Sequence, residues 1–243
     1  HFALGNLFRR RGETDRAIRV HQNLIDRGGL DPDTRDHAVF ELGQDFLKAG
    51  LLDRAEQAFM QLERSAWGRQ ALQHRLAIAQ LVRDWPQAIA LAGRLSAGDP
   101  SRQTVSALAH FHCELAAQAL AGQSPDRFEQ ARRHLDDATS VSGSHPRVAL
   151  MRGQLAMAQG QPQAALAVWN GLRLEQPGWF ALGARDWIAA HAALGMTRSL
   201  SVLNNDWQAA ALAAGRPYRS DSSVCSNCGF GIPRGWSIAM SSN

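Results

Sequence analysis

The sharpest chemical motif in the chain is Cys225-Ser226-Asn227-Cys228-Gly229-Phe230. Two thiolates separated by two residues and followed by glycine form a knuckle that aims both sulfurs at one point, as tetrahedral zinc or iron requires. Such a metal takes four ligands, and the third cysteine, Cys113, falls in a predicted helix far from the knuckle. Cys225 and Cys228 therefore read as half of a metal knuckle, as unpaired thiols, or as a redox pair. A thioredoxin-like redox role would need a βαβ context, which this stretch lacks. A second grouping, His110, Cys113 and Glu114, shares one helical face at i, i+3 and i+4. Cysteine and histidine at a helix seam commonly serve as packing residues, and with no second ligand pair the sequence assigns no metal there. There is no nucleophile elbow, phosphate-cradling glycine loop or His-Glu-x-x-His, so a protein without catalysis is expected.

Arg9-Arg10-Arg11 is the densest charge cluster. At the end of a first helix, cations complement the negative end of the dipole and face solvent. The functional alternative is contact with acidic lipid headgroups or with an acidic partner. Nucleic acid is not expected: 26 basic residues against 22 acidic leave only +4, no nucleic-acid motif is present, and the aromatics fall at packing positions.

These residues sit on a repeat. Leu4-Gly5-x-x-Phe8-x-x-x-Gly12-x-x-x-x-Ala17 recurs position for position as Leu42-Gly43-x-x-Phe46-x-x-x-Gly50-x-x-x-x-Ala55. A third copy is Gly153-x-x-Ala156-x-x-x-Gly160-x-x-x-x-Ala165, and weaker copies place their central alanines at Ala88 and Ala131. Successive alanines are then 38, 33, 43 and 34 residues apart. The small residues let two antiparallel helices approach closely, and Gly12, Gly50 and Gly160 end the first helix of a pair. In the second helix of the second copy, Ala55, Ala58, Phe59 and Leu62 form one apolar stripe at i, i+3, i+4 and i+7. One pair cannot bury that stripe; stacked pairs can.

A period near 34 with these positions is that of the tetratricopeptide repeat. The expected architecture is all-α: a right-handed superhelix of five or six antiparallel helix pairs over residues 1–204, a helical remnant or linker over 205–215, and an incomplete, mostly irregular knuckle tail over 216–243. A sixth pair is expected from Phe180 to about Asn204, turning at Leu194-Gly195. Asp99-Pro100 and His145-Pro146 are expected to close helices. The uncharged stretch from Gly153 to Leu172 is too polar and too broken for a membrane span and reads as two helices and a turn. In such solenoids the first helix of each pair lines the inner face, which places Asn6, Arg9, His37, Gln44, Lys48, Arg147 and Gln154 there, a polar and basic set suited to an acidic or extended peptide.

Composition agrees with a folded chain of 243 residues: 45% hydrophobic, 20% charged, 7% aromatic. Three cysteines are too few for a disulfide framework, and no apolar signal opens the chain, so a reducing compartment is expected. The first residue is His1, which predicts a fragment or a processed product.

The run His1 to Glu13, Asp15-Arg16-Ala17-Ile18-Arg19, Ala49-Gly50-Leu51-x-Asp53-Arg54-Ala55-Glu56 and Ala109-His110-Phe111-x-Cys113-Glu114-Leu115 resemble the lipopolysaccharide assembly protein B family of Gram-negative bacteria over about residues 1–200 and Cys225 to Phe230. The resemblance implies an inner-membrane anchor, cytoplasmic tetratricopeptide repeats and a rubredoxin-like domain holding iron or zinc on two knuckles. It also implies a non-enzymatic adaptor at the cytoplasmic face of the inner membrane. That adaptor helps a membrane-bound AAA+ protease degrade the lipid A deacetylase, and it organises lipopolysaccharide assembly proteins. Relative to the family pattern, the anchor, the repeats between about Asn204 and the tail, and the second knuckle are missing; Arg234-Gly235-Trp236-Ser237 resembles the stretch after that knuckle. Cys225 and Cys228 alone carry over as metal ligands, leaving the shell half filled. The alternative function is a general tetratricopeptide module that binds peptides without a metal or membrane role. A zinc or redox enzyme built on the tail would need two further ligands.

Overall fold

The computed structural model describes residues 1–27, 29–98 and 101–194. Within them lie eleven helices and no strand: α1 (Phe2–Arg10), α2 (Thr14–Asp26), α3 (Pro32–Lys48), α4 (Leu52–Gln61), α5 (Gly68–Leu81), α6 (Trp85–Gly98), α7 (Arg102–Ala121), α8 (Arg127–Ser142), α9 (Pro146–Ala158), α10 (Pro162–Glu175) and α11 (Pro177–Ala193). Each helix packs on the next along the chain, and α1 on α3, α7 on α9 and α9 on α11 stack across pairs. This is a tetratricopeptide-repeat solenoid of five complete helix pairs, with α11 as the first helix of a sixth. The second helix expected for that pair, the 205–215 linker and the 216–243 tail lie outside the described residues.

Local chemistry sets the boundaries. Asp31 and Ser101 cap α3 and α7 through their side chains, accepting from the N–H of Thr34 (2.9 Å) and Thr104 (3.2 Å). Prolines 32, 146 and 162 occupy first-turn positions that need no N–H donor. Gly12, Gly50 and Gly160 take left-handed φ of +79°, +75° and +73°. There the chain closes the first helix by the same pair of bonds, for example Leu51 N–H to Phe46 carbonyl (2.9 Å) and Gly50 N–H to Leu47 carbonyl (3.1 Å). His145-Pro146 departs from expectation. Helix α8 has already ended at Ser142, with Gly143 at φ +65°, and His145-Pro146 opens α9 instead, His145 Nδ1 accepting the Arg147 N–H at 3.3 Å. A proline forbids continuation of the helix before it but begins one well, and here the second property decides.

The core follows the repeat register. Ala17, Ala55, Ala88, Ala131 and Ala165 are all fully buried, as are Phe59, Leu135 and Trp169. In the first, second and fifth pairs a helix-A glycine lies under a ring from helix B sixteen residues later: Gly5 under His21, Gly43 under Phe59, Gly153 under Trp169. A Cβ on Gly43 would sit 2.8 Å from the Phe59 ring, closer than real contacts allow, and the other two would collide harder.

Candidate partner-binding groove

Helices α1, α3 and α5, the first helices of their pairs, lie side by side and leave an open groove of about 570 Å³ lined by Arg9, Arg10, Gln44, Leu47, Lys48 and His74. The lining contains three cationic side chains and no carboxylate. Arg10 and Lys48 are exposed and make no ion pair among the described residues. His74 stacks flat on Phe59 at 4.8 Å, and burial holds its pKa below the ordinary value, so it offers the groove a neutral imidazole near pH 7.

Beneath the groove lies a buried polar network. Arg9 donates to Glu41 Oε2 (2.6 Å), to the Glu41 carbonyl (3.1 Å) and to Asp45 Oδ1 (2.8 Å). Asp45 is fully buried and its other oxygen lies 2.5 Å from Nδ1 of the equally buried His21. Because a carboxylate accepts, the His21 ring carries its proton on Nδ1. Burial opposes the charge on Arg9, but its hydrogen bonds to Glu41 and Asp45, with their Coulomb attraction, outweigh that and hold its pKa above the ordinary value. Above Glu41, His37 is stacked between Phe2 (4.3 Å) and Trp67 (4.7 Å), with Nε2 at 3.4 Å from Glu41 Oε1.

The structure therefore divides the Arg9-Arg10-Arg11 run. Read as one exposed cluster, it is three residues in three environments. Arg9 is turned onto α3 with 17% of its side chain exposed, Arg10 faces the groove, and Arg11 is solvated beside Glu13 at 3.0 Å. Helical geometry is the reason, since consecutive residues project about 100° apart.

Of the seven residues placed on the inner face, Arg9, Gln44 and Lys48 meet in the groove. His37 is held in the aromatic stack, and Asn6 is half-buried with its Oδ1 unpartnered. Arg147 is bonded to Glu114 across α7 and α9. Gln154 donates to Asp186 at 2.9 Å at a second, smaller groove of about 270 Å³ shared with Met157, Trp169 and Ala189. The face bearing His110, Cys113 and Glu114 does not converge on a metal: Glu114 is engaged by Arg147, and Cys113 is buried against α8, its thiol pushed up by burial to about 11. Cys225 and Cys228 lie outside the described residues, and two thiolates make up half a tetrahedral donor set.

Sequence reasoning missed Glu41, Asp45 and His21. A signal existed: His21 stands at the ring position where Phe59 and Trp169 stand, and a histidine there calls for a polar partner.

The tetratricopeptide-repeat family profile matches residues 1–35. The chain is 42% identical over 162 residues to lipopolysaccharide assembly protein B of Escherichia coli K12, covering 66% of this chain and 41% of that protein. It is 34% identical over 175 residues to the Haemophilus influenzae protein of the same name, covering 72% of this chain and 43% of that protein. The chain thus spans about two fifths of the length of the curated relatives it matches. Its fold resembles the C-terminal part of a tetratricopeptide-repeat protein from Cytophaga hutchinsonii, with a TM-score of 0.51 at 11% identity over 88% of this chain and 80% of that one.

Proposed function

We propose that this chain, a tetratricopeptide-repeat homologue of the lipopolysaccharide assembly protein B proteins, is a non-enzymatic adaptor in lipopolysaccharide assembly whose α1–α3–α5 groove docks an acidic segment of a partner. The 42% identity to the Escherichia coli protein carries the pathway. The groove supports the mode of action: Arg10 and Lys48 project unpaired cations over the floor, where Arg9 is already held by Glu41 and Asp45. An incoming carboxylate meets fixed positive potential without having to displace an internal partner.

In its finer form the proposal is that the adaptor restrains lipopolysaccharide synthesis by bringing the lipid A deacetylase to a membrane-bound AAA+ protease at the cytoplasmic face of the inner membrane. No helix among the described residues is long and apolar enough to cross a membrane. The family resemblance supports this pathway, and a solenoid supports it mechanically, because stacked pairs offer one extended surface to more than one protein.

The test is binding of the purified deacetylase and of the protease to the chain, with and without Arg10→Glu plus Lys48→Glu. The double reversal is expected to weaken one of these complexes about tenfold or more, to remove its salt sensitivity, and to leave thermal unfolding unchanged because neither side chain is paired. Equal affinity before and after reversal removes the groove from the function. Failure of both proteins to bind the unaltered chain removes the pathway. Arg9 is left untouched because its reversal would break the network beneath the groove.

A further inference from the structure

The fourth helix pair carries a constellation that the groove does not use. His112 on α7 and His134 with Asp137 on α8 each bring one ligand atom within 4.8 Å of the others, and among the described residues no other three His, Cys, Asp or Glu side chains do so. The two imidazole centroids are 6.2 Å apart, and His112 Nδ1 lies 3.8 Å from Asp137 Oδ2, too far for a hydrogen bond. Both rings have a buried Nδ1 with no hydrogen-bond partner. Buried polar atoms are rarely left so, and two of them on neighbouring rings across one seam ask for a common explanation.

We propose that His112, His134 and Asp137 form a binding site for a borderline first-row divalent cation, zinc above all, that clips α7 to α8. The donor set selects the ion: two neutral imidazoles and one carboxylate suit zinc and its neighbours, whereas calcium and magnesium call for oxygen. The backbone is already in place. His134 and Asp137 stand at i, i+3 on one face of α8, and their neighbours hold the two helices together: Cys113 and Ala116 of α7 pack on Ala131, Leu135 and Ala138 of α8. Zinc–ligand bonds of about 2.0–2.1 Å set tetrahedral ligands roughly 3.3 Å apart. Closing from separations of up to 4.8 Å takes side-chain rotation, and Asp137, with 58% of its side chain exposed, is free to make it. That exposed edge leaves the fourth position to water.

The test uses the full chain carrying Cys225→Ser and Cys228→Ser, purified without a histidine tag, so that the tail thiolates cannot contribute. Titration with cobalt(II) is expected to give one ion per chain, with visible d–d absorption, no near-ultraviolet sulfur-to-cobalt band, and displacement by zinc. Zinc is expected to raise the unfolding temperature in a concentration-dependent way. Asp137→Asn, at an exposed position that the fold tolerates, is expected to weaken the ion about tenfold or more, and His134→Gln to abolish binding. No cobalt or zinc bound at micromolar concentration overturns the site. So does stoichiometric binding that survives both substitutions.

Discussion

The first and fifth helix pairs place the same two positions in the same relation and reach different chemistry. Gly5 lies beneath His21 and Gly153 beneath Trp169, sixteen residues on in both cases, and both rings are fully buried. The Trp169 indole satisfies its N–H within its own pair, on the Leu150 carbonyl at 3.3 Å. The His21 imidazole cannot do so and reaches into the next pair for Asp45, which in turn is bonded to Arg9. Repeat geometry thus dictates where a ring goes, and the chemistry of that ring decides whether the seam closes within the pair or ties it to the next. The N-terminal pairs are joined through a buried polar network of Arg9, His21 and Asp45, and the C-terminal pairs through apolar packing with Phe180, Ala184 and Trp187.

The largest loss is expected at Asp45. Asp45→Ala leaves Arg9 short of a partner and His21 with neither nitrogen satisfied, and removing one member of a buried charged set costs about 3–5 kcal/mol. Chemical denaturation checks this; a loss below about 1 kcal/mol would mean that the network is ornamental and that the first seam is held as the fifth is. Next is the shared geometry itself. Gly43→Leu and Gly153→Leu each drive a side chain into the ring opposite and are expected to cost on the order of 1–3 kcal/mol or more. Unchanged thermal unfolding in either variant would separate the two pairs and undo the common register.

Acid sharpens the contrast from the other side. His74, His110, His112 and His145 all have pKa values held below the ordinary value, with burial the leading cause in each, and they sit on α5, on α7 and at the start of α9. A histidine whose folded pKa is depressed binds its proton more readily unfolded, so its stabilising contribution is present above the unfolded value near 6.5 and is lost as pH falls below it. Hydrogen exchange followed from about pH 7.5 to about pH 5.5 should therefore show pairs three to five loosening. Uniform protection at both pH values would remove these histidines from the stability of the fold.

The repeat was legible because small residues and turn glycines are demanded by close helix approach, a constraint that leaves a fixed spacing in the sequence. Ala55, Ala58, Phe59 and Leu62 were readable as a buried stripe for the same reason, and all four are buried. The groove was legible in outline, since counting along the repeat puts Arg9, Gln44 and Lys48 on first helices. What spacing does not encode is which polar residues meet across pairs. Glu41 and Asp45 look like solvated helix positions until α1 is laid on α3. The juxtaposition of His112 with His134 depends on the relative register of α7 and α8, in the pair where the spacing is least regular. His145-Pro146 misled because proline punctuates both ends of a helix, and only the position of Gly143 decides which.

The smallest effect tests how far the turn rule runs. Arg83 stands in the third pair where Gly12, Gly50 and Gly160 stand in the first, second and fifth, five residues before the central alanine. It adopts the same left-handed backbone, with φ +58°. The closing bonds are the same as well: Asp84 N–H to Ala79 carbonyl at 2.9 Å and Arg83 N–H to Gln80 carbonyl at 3.2 Å. For a residue with a Cβ that conformation costs roughly 1–2 kcal/mol, while glycine adds back some entropy to the unfolded chain, about 0.4–1 kcal/mol. Arg83→Gly is therefore expected to stabilise by about 0.5–1 kcal/mol, raising the unfolding temperature by roughly 1–4 °C for a chain of this size. Gly50→Arg, the mirror substitution in the second pair, should destabilise by a similar amount. If Arg83→Gly instead lowers the unfolding temperature while Gly50→Arg behaves as expected, the arginine side chain itself contributes to the third pair, and the turn there is held by something other than the backbone geometry it shares with its neighbours.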